Sequence, residues 1–109
     1  MTATPERRSN RRIPVEMWVE EVRGRDYYFQ RSGNLSVGGM YLDKSIPHPR
    51  GTTVQLKFTL PDETEPICVD GEIVGEPEVE RLGMHVRFTN LEADSLVHER
   101  VIAFVARRE

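Results

Sequence analysis

In three separate stretches, apolar side chains recur at every second position: Ile13, Val15, Met17 and Val19; Val54, Leu56, Phe58 and Leu60; and Leu82, Met84, Val86 and Phe88. A period of two lines one face of an extended strand, whereas a helix at 3.6 residues per turn would scatter the same residues around its circumference. Each stretch therefore reads as a strand with one buried face. Less regular apolar segments lie at Tyr27 to Phe29, Met40 to Leu42 and Ile67 to Val74, each bounded by glycine, proline or acidic residues. The total is about six short strands. Close spacing and turns such as Arg23-Gly24-Arg25-Asp26 and Leu60-Pro61-Asp62 predict antiparallel pairing. A small sheet of this kind removes its exposed edges by closing into a barrel.

The last segment changes period. Ala93, Val97, Val101, Phe104 and Val105 fall on one helical stripe. Thr89 with Glu92 fits a capping box, Asp94 lies in the first turn, and Arg107 and Arg108 stand where cations suit the helix dipole. The pattern predicts a helix over about 91–106, packed on the barrel or across its mouth. At 109 residues the chain is one domain's worth of material. The expected fold is mainly all-β: a six-stranded antiparallel barrel over 13–109 with one C-terminal α-helix, preceded by a flexible arginine-rich arm at 1–12.

Several function classes are disfavoured. No apolar run approaches the roughly 20 residues that cross a bilayer, and the N-terminus MTATPERRSNRR lacks the apolar stretch of a signal peptide. A cytoplasmic protein without membrane insertion is expected. A single cysteine, Cys68, excludes an internal disulfide, and three scattered histidines give no metal-ligand spacing. No metal or cofactor is expected. The net charge of −3 conceals an asymmetry: residues 1–12 carry four arginines against one glutamate, a net +3, while residues 13–109 carry eleven cations against seventeen anions, a net −6. A mildly acidic body argues against nucleic acid, which needs phosphate contacts spread over a face. A small anion met by a few arginines remains open. An enzyme is not expected, because a nucleophile elbow around Ser36 would need glycine at 34, where Asn34 stands, and no other nucleophile and base pattern is present.

Two short motifs carry the remaining information. Arg8-Ser9-Asn10-Arg11-Arg12, with Arg7 in front, is an R-x-x-x-R pair immediately before the first strand. The planar guanidinium fork binds phosphate oxygens or the O6 and N7 edge of guanine in bidentate fashion, and its flat face stacks on a base. Read alone, the cluster is what a solvated basic tail also looks like. The second motif, Asn34-Leu35-Ser36-Val37-Gly38-Gly39, presents short polar side chains at a strand end, with Gly39 allowing close approach or a positive φ. Read alone, it is equally an ordinary glycine-rich turn.

Together, R-x-x-x-R at Arg8 and Arg12 followed by (D/N)-x-S-x-x-G at Asn34, Ser36 and Gly39 resembles the PilZ domain family of cyclic di-GMP receptors. Ile13-Pro14-Val15, Gly39-Met40-Tyr41-Leu42 and Gly83-Met84-His85-Val86-Arg87-Phe88 match the family in order, so the resemblance spans about Arg7 to Phe88. It implies a six-stranded barrel with a C-terminal helix. It also implies that Arg8 and Arg12 grip guanine edges and phosphates, that Asn34 and Ser36 hydrogen-bond a guanine from the barrel surface, and that Gly39 provides clearance. Asparagine at 34 is permitted by the family pattern, although an amide offers one acceptor where aspartate offers two. Arginine immediately before R-x-x-x-R, here Arg7, implies two stacked cyclic di-GMP molecules per chain.

The function so implied is a receptor and adaptor that changes conformation on binding cyclic di-GMP. Since the chain ends at Glu109, the signal is expected to leave through an effector protein acting on motility, envelope or exopolysaccharide production, or gene control. The alternative is a degenerate PilZ-like interaction module that does not bind cyclic di-GMP. Trp18, Tyr27 and Tyr28 read either as partner contacts or as support for neighbouring strands.

Overall fold

A computed structural model describes residues 11–75 and 82–109. Its strands are β1 (Ile13–Pro14), β2 (Trp18–Arg23), β3 (Asp26–Ser36), β4 (Gly39–Asp43), β5 (Thr53–Phe58), β6 (Ile67–Val74) and β7 (Gly83–Phe88). A 3₁₀ turn at Leu91–Ala93 leads into helix α1 (Ser95–Arg108). All strand pairs are antiparallel, in the order β3-β2-β5-β6-β7-β4, and β4 pairs back onto β3 to close a six-stranded barrel. β1 lies outside the closure, paired with the second half of β3 through Ile13 opposite Leu35 and Pro14 opposite Asn34. The barrel and helix expected from the sequence are present.

The expected first strand is broken in two. Ile13, Met17 and Val19 are buried and alternate with exposed neighbours, as the period of two requires. The ladder nevertheless fails between Pro14 and Trp18, because proline has no N–H to donate and β3 bends opposite this gap. Pairing of β3 with β4 shifts register between Ser32 and Asn34, which leaves Gly33 as an extra residue, a bulge that turns the strand. Ser32 fills the gap: its Oγ accepts from the Met17 N–H at 3.1 Å and donates to the Val15 carbonyl at 2.7 Å. The expected strand at Tyr27–Phe29 is in fact the start of an 11-residue strand, whose polar second half hides it from an apolar-period reading. The β2–β3 turn has Gly24 at φ 60° and Arg25 at negative φ, the arrangement of a type II′ hairpin.

The core is a single cluster that includes Val19, Leu35, Met40, Leu42, Leu56, Leu60, Ile67, Ile73 and Val86, joined by Val101, Phe104 and Val105 from α1. Burying Phe104 completely is worth about 2–3 kcal/mol in removed apolar surface. The helix begins later than the expected 91. Asp94 is the N-cap, its carboxylate accepting from the Val97 N–H at 3.2 Å. Asn90, at the start of the 3₁₀ turn, is committed elsewhere: its Oδ1 accepts from the Asp70 N–H at 2.8 Å and its Nδ2 donates to the Asp70 carboxylate at 3.0 Å. The capping box of Thr89 and Glu92 is thus replaced by a tie to β6. Arg100 to Glu63 at 2.8 Å and Arg107 to Asp62 at 2.9 Å fasten α1 to the β5–β6 connection. No described helix is long and apolar enough to cross a membrane.

Candidate functional site

The two motifs meet because β1 lies on β3. Pro14 opposite Asn34 brings the residue before β1 beside the end of β3, and Arg12 Nη1 donates to Asn34 Oδ1 at 3.0 Å across 22 residues of sequence. Among the described residues this is the contact that turns two separated motifs into one place. Arg7 and Arg8 lie outside the described residues, as does the rest of the expected arm up to residue 10.

Asn34 and Ser36 flank the inward-facing Leu35, so both stand on the barrel's outer side. Their roles differ. Asn34 is half-buried and in contact with Arg12. Ser36 is buried, and its Oγ accepts from the N–H groups of Gly38 at 3.2 Å and Gly39 at 3.1 Å while donating to the Gly39 carbonyl at 3.3 Å. The hydroxyl thereby fixes the Val37–Gly38 turn from within. In this geometry Ser36 shapes the rim rather than projecting from it. Gly39 likewise serves the barrel: its φ is not positive, and a Cβ there would lie 2.1 Å from the Val86 carbonyl oxygen. The clearance it provides is for β7, because β4 and β7 approach too closely at this point for any side chain.

Two rows of residues cross the outer face at this end. One runs from Asn34 on β3 through Tyr41 on β4 and His85 on β7 to Val74 on β6, with the Tyr41 and His85 rings 4.7 Å apart. The next runs from Ser36 through Gly39 and Arg87 to Glu72. Arg87 donates from Nη2 to the Glu72 carboxylate. A cleft of about 770 Å³ opens here, lined in part by Arg12, the Ser36–Gly39 turn, Arg87 and the start of the 3₁₀ turn. Its volume is that of a small-molecule site. No sequence signal marks Arg87 as a site residue, because its place beside the turn follows only from the pairing of β7 with β4.

A second polar cluster sits inside the barrel. Glu21 is fully buried on β2, its Oε2 2.7 Å from His48 Nε2 and its Oε1 accepting from Gln30 Nε2 at 2.9 Å. The Tyr28 ring packs 5.3 Å from the imidazole. With the carboxylate at 0% exposure, no substrate reaches this acid and base, and the cluster serves the fold. On the outside of the same strands, Trp18, Tyr27 and Phe29 are 61%, 59% and 67% exposed, with the Arg31 guanidinium 4.9 Å over the indole. Tyr27 donates to the Glu20 carboxylate, and that bond raises the phenol pKa above its ordinary value, with smaller contributions from desolvation and the carboxylate charge. Trp18 and Tyr27 are therefore surface side chains, and Tyr28 is a packing one.

Comparison with protein families matches residues 6–107 to the PilZ domain. A comparison with curated proteins finds no match. Among solved structures, the chain is similar to the inhibitor of motility MotI/DgrA of Bacillus subtilis, with a TM-score of 0.72 and 18% identity over 89% of this chain and 48% of that one. It thus spans about half the length of that protein. The PilZ domain of CeSA from a cellulose-synthesizing bacterium aligns at a TM-score of 0.66 and 22% identity, covering 87% of this chain and 98% of that chain. The cyclic di-GMP complex of the PilZ domain of YcgR from Escherichia coli aligns at a TM-score of 0.65 and 13% identity, covering 90% and 88%.

Proposed function

The chain belongs to the PilZ domain family, a family of cyclic di-GMP-binding adaptors, and from this premise we propose that it is itself a cyclic di-GMP receptor, without catalysis of its own, that signals through a protein partner. The observation that carries the reading is the Arg12–Asn34 contact at 3.0 Å, which sets a guanidinium and an amide side by side at the edge of a cleft of suitable size. In the proposed complex Arg12, with Arg8 from the preceding segment, takes phosphate oxygens and a guanine edge in bidentate bonds. Asn34 faces the other guanine with its amide. Ser36 and Gly39 hold the rim in shape. The solved YcgR domain, whose complex contains cyclic di-GMP, shares this fold and supports the choice of ligand.

Arg7 enters through charge. Two stacked cyclic dinucleotides bring about four negative charges into one site, and at reduced local dielectric a further guanidinium offsets their repulsion and stacks on an exposed base. The proposed stoichiometry is two ligands per chain. Isothermal calorimetry with cyclic di-GMP, at protein concentrations well above the dissociation constant, tests both statements. Saturable binding with a ratio of two is expected, shifting toward one in Arg7→Leu. A ratio of one in the parent protein removes the stacked pair and leaves the receptor. Absence of binding leaves the degenerate interaction module instead.

A further inference from the structure

Arg87 is the one guanidinium of the cleft besides Arg12 among the described residues, and neither motif contains it. It lies on β7 directly opposite Gly39, which in turn lies opposite Ser36. The space a side chain at Gly39 would take is filled by the β7 backbone, so β7 lies close against β4 and Arg87 is held beside the Ser36 turn. Ser36 and Arg87 stand two strand spacings apart, roughly 10 Å, and both line the cleft. Arg87 remains 56% exposed, and its described partner is the Glu72 carboxylate beside it on β6, itself 35% exposed. An exposed pair of this kind contributes about 0–1 kcal/mol, so Glu72 orients the guanidinium at little cost to its release.

We propose that Arg87 is a further ligand-binding residue of this protein: it bonds a phosphodiester oxygen of the cyclic dinucleotide from the β7 side of the cleft, opposite Arg12, and Glu72 is the counterion the ligand displaces. The inference rests on the receptor reading above. A monoanionic phosphodiester accepts two parallel N–H bonds from a guanidinium and competes well with one shared carboxylate, and the second phosphodiester of the dianionic ligand adds to the attraction. Glu72 then tunes affinity downward: it neutralises Arg87 in the free protein, and it repels ligand phosphates in the bound one.

The test is calorimetric titration with cyclic di-GMP of the full chain and of Arg87→Met, Arg87→Lys, Glu72→Gln and Arg23→Met, each checked for native circular dichroism and repeated at two salt concentrations. Arg23, at the hairpin end of β2 and paired with Asp26, which is ten residues along β3 from Ser36, reports the effect of removing one positive charge elsewhere. Expected are about tenfold weaker binding and a shallower salt dependence for Arg87→Met. Arg87→Lys falls between it and the parent, since the charge stays and the fork is lost. Glu72→Gln binds several-fold tighter, and Arg23→Met binds like the parent. If the parent binds and Arg87→Met matches it in affinity and salt dependence, the role of Arg87 is refuted while the receptor stands. Equal losses in Arg87→Met and Arg23→Met also refute it, by reducing the effect to net charge. If the parent does not bind, both readings fall.

Discussion

Two pairs of polar residues on the same sheet face opposite fates. Outside, Arg12 and Asn34 meet at 3.0 Å on the rim of a cleft; inside, Glu21 and His48 meet at 2.7 Å with Glu21 at 0% exposure. At the rim, water competes for every hydrogen bond, so the contact is cheap to exchange for a ligand. In the interior, each partner would be left desolvated without the other, so the contact cannot be exchanged at all. Similar donor and acceptor chemistry thus makes a binding site in one place and a structural pin in the other. Burial alone separates them.

The largest effect is expected at His48. His48→Ala leaves the Glu21 carboxylate inside the barrel with Gln30 as its remaining described partner, and the expected loss is about 3–5 kcal/mol of stability by urea unfolding. Joint replacement by Glu21→Leu and His48→Leu should restore most of that loss, because apolar side chains need no partners there. If His48→Ala unfolds at the parent's urea concentration, the interior pair is no more binding than the rim pair and the contrast fails.

At the rim the expected effect moves from stability to affinity. Arg12→Ala should unfold like the parent and bind cyclic di-GMP about tenfold to a hundredfold more weakly, the worth of one bidentate contact at about 1–3 kcal/mol. A variant that loses stability instead would mean that the Arg12–Asn34 bond holds β1 to the barrel and is not exchangeable.

Ser36→Ala sharpens the boundary between the two regimes. Its hydroxyl serves the turn through Gly38 and Gly39, so removing it should cost about 1 kcal/mol of stability and weaken binding less than Arg12→Ala does. Full stability with a hundredfold loss of affinity would place the Ser36 hydroxyl on the ligand and overturn the turn-shaping role.

The sequence alone carried the strands at 54–58 and 83–88 and the helical stripe of Val101, Phe104 and Val105, because a side chain's alternation or periodicity is fixed by local backbone geometry whatever it packs against. It also carried the motif residues by resemblance. What it hid is non-local. Pro14 and the Gly33 bulge split the first strand, and Ser32 patched the gap, through contacts 15 and 17 residues apart. Glu21 falls in phase with the buried Val19, but only the closed barrel brings the His48 partner to it. Gly39 reads as clearance for a ligand until β7 arrives against it. Arg87 reads as an ordinary strand residue until the β4–β7 pairing sets it beside the Ser36 turn. Barrel closure decides which strands become neighbours, and pairing register decides which side chains share a face. Those two choices depend on the whole chain at once, which is why the elements were legible in the sequence and the composition of the cleft was not.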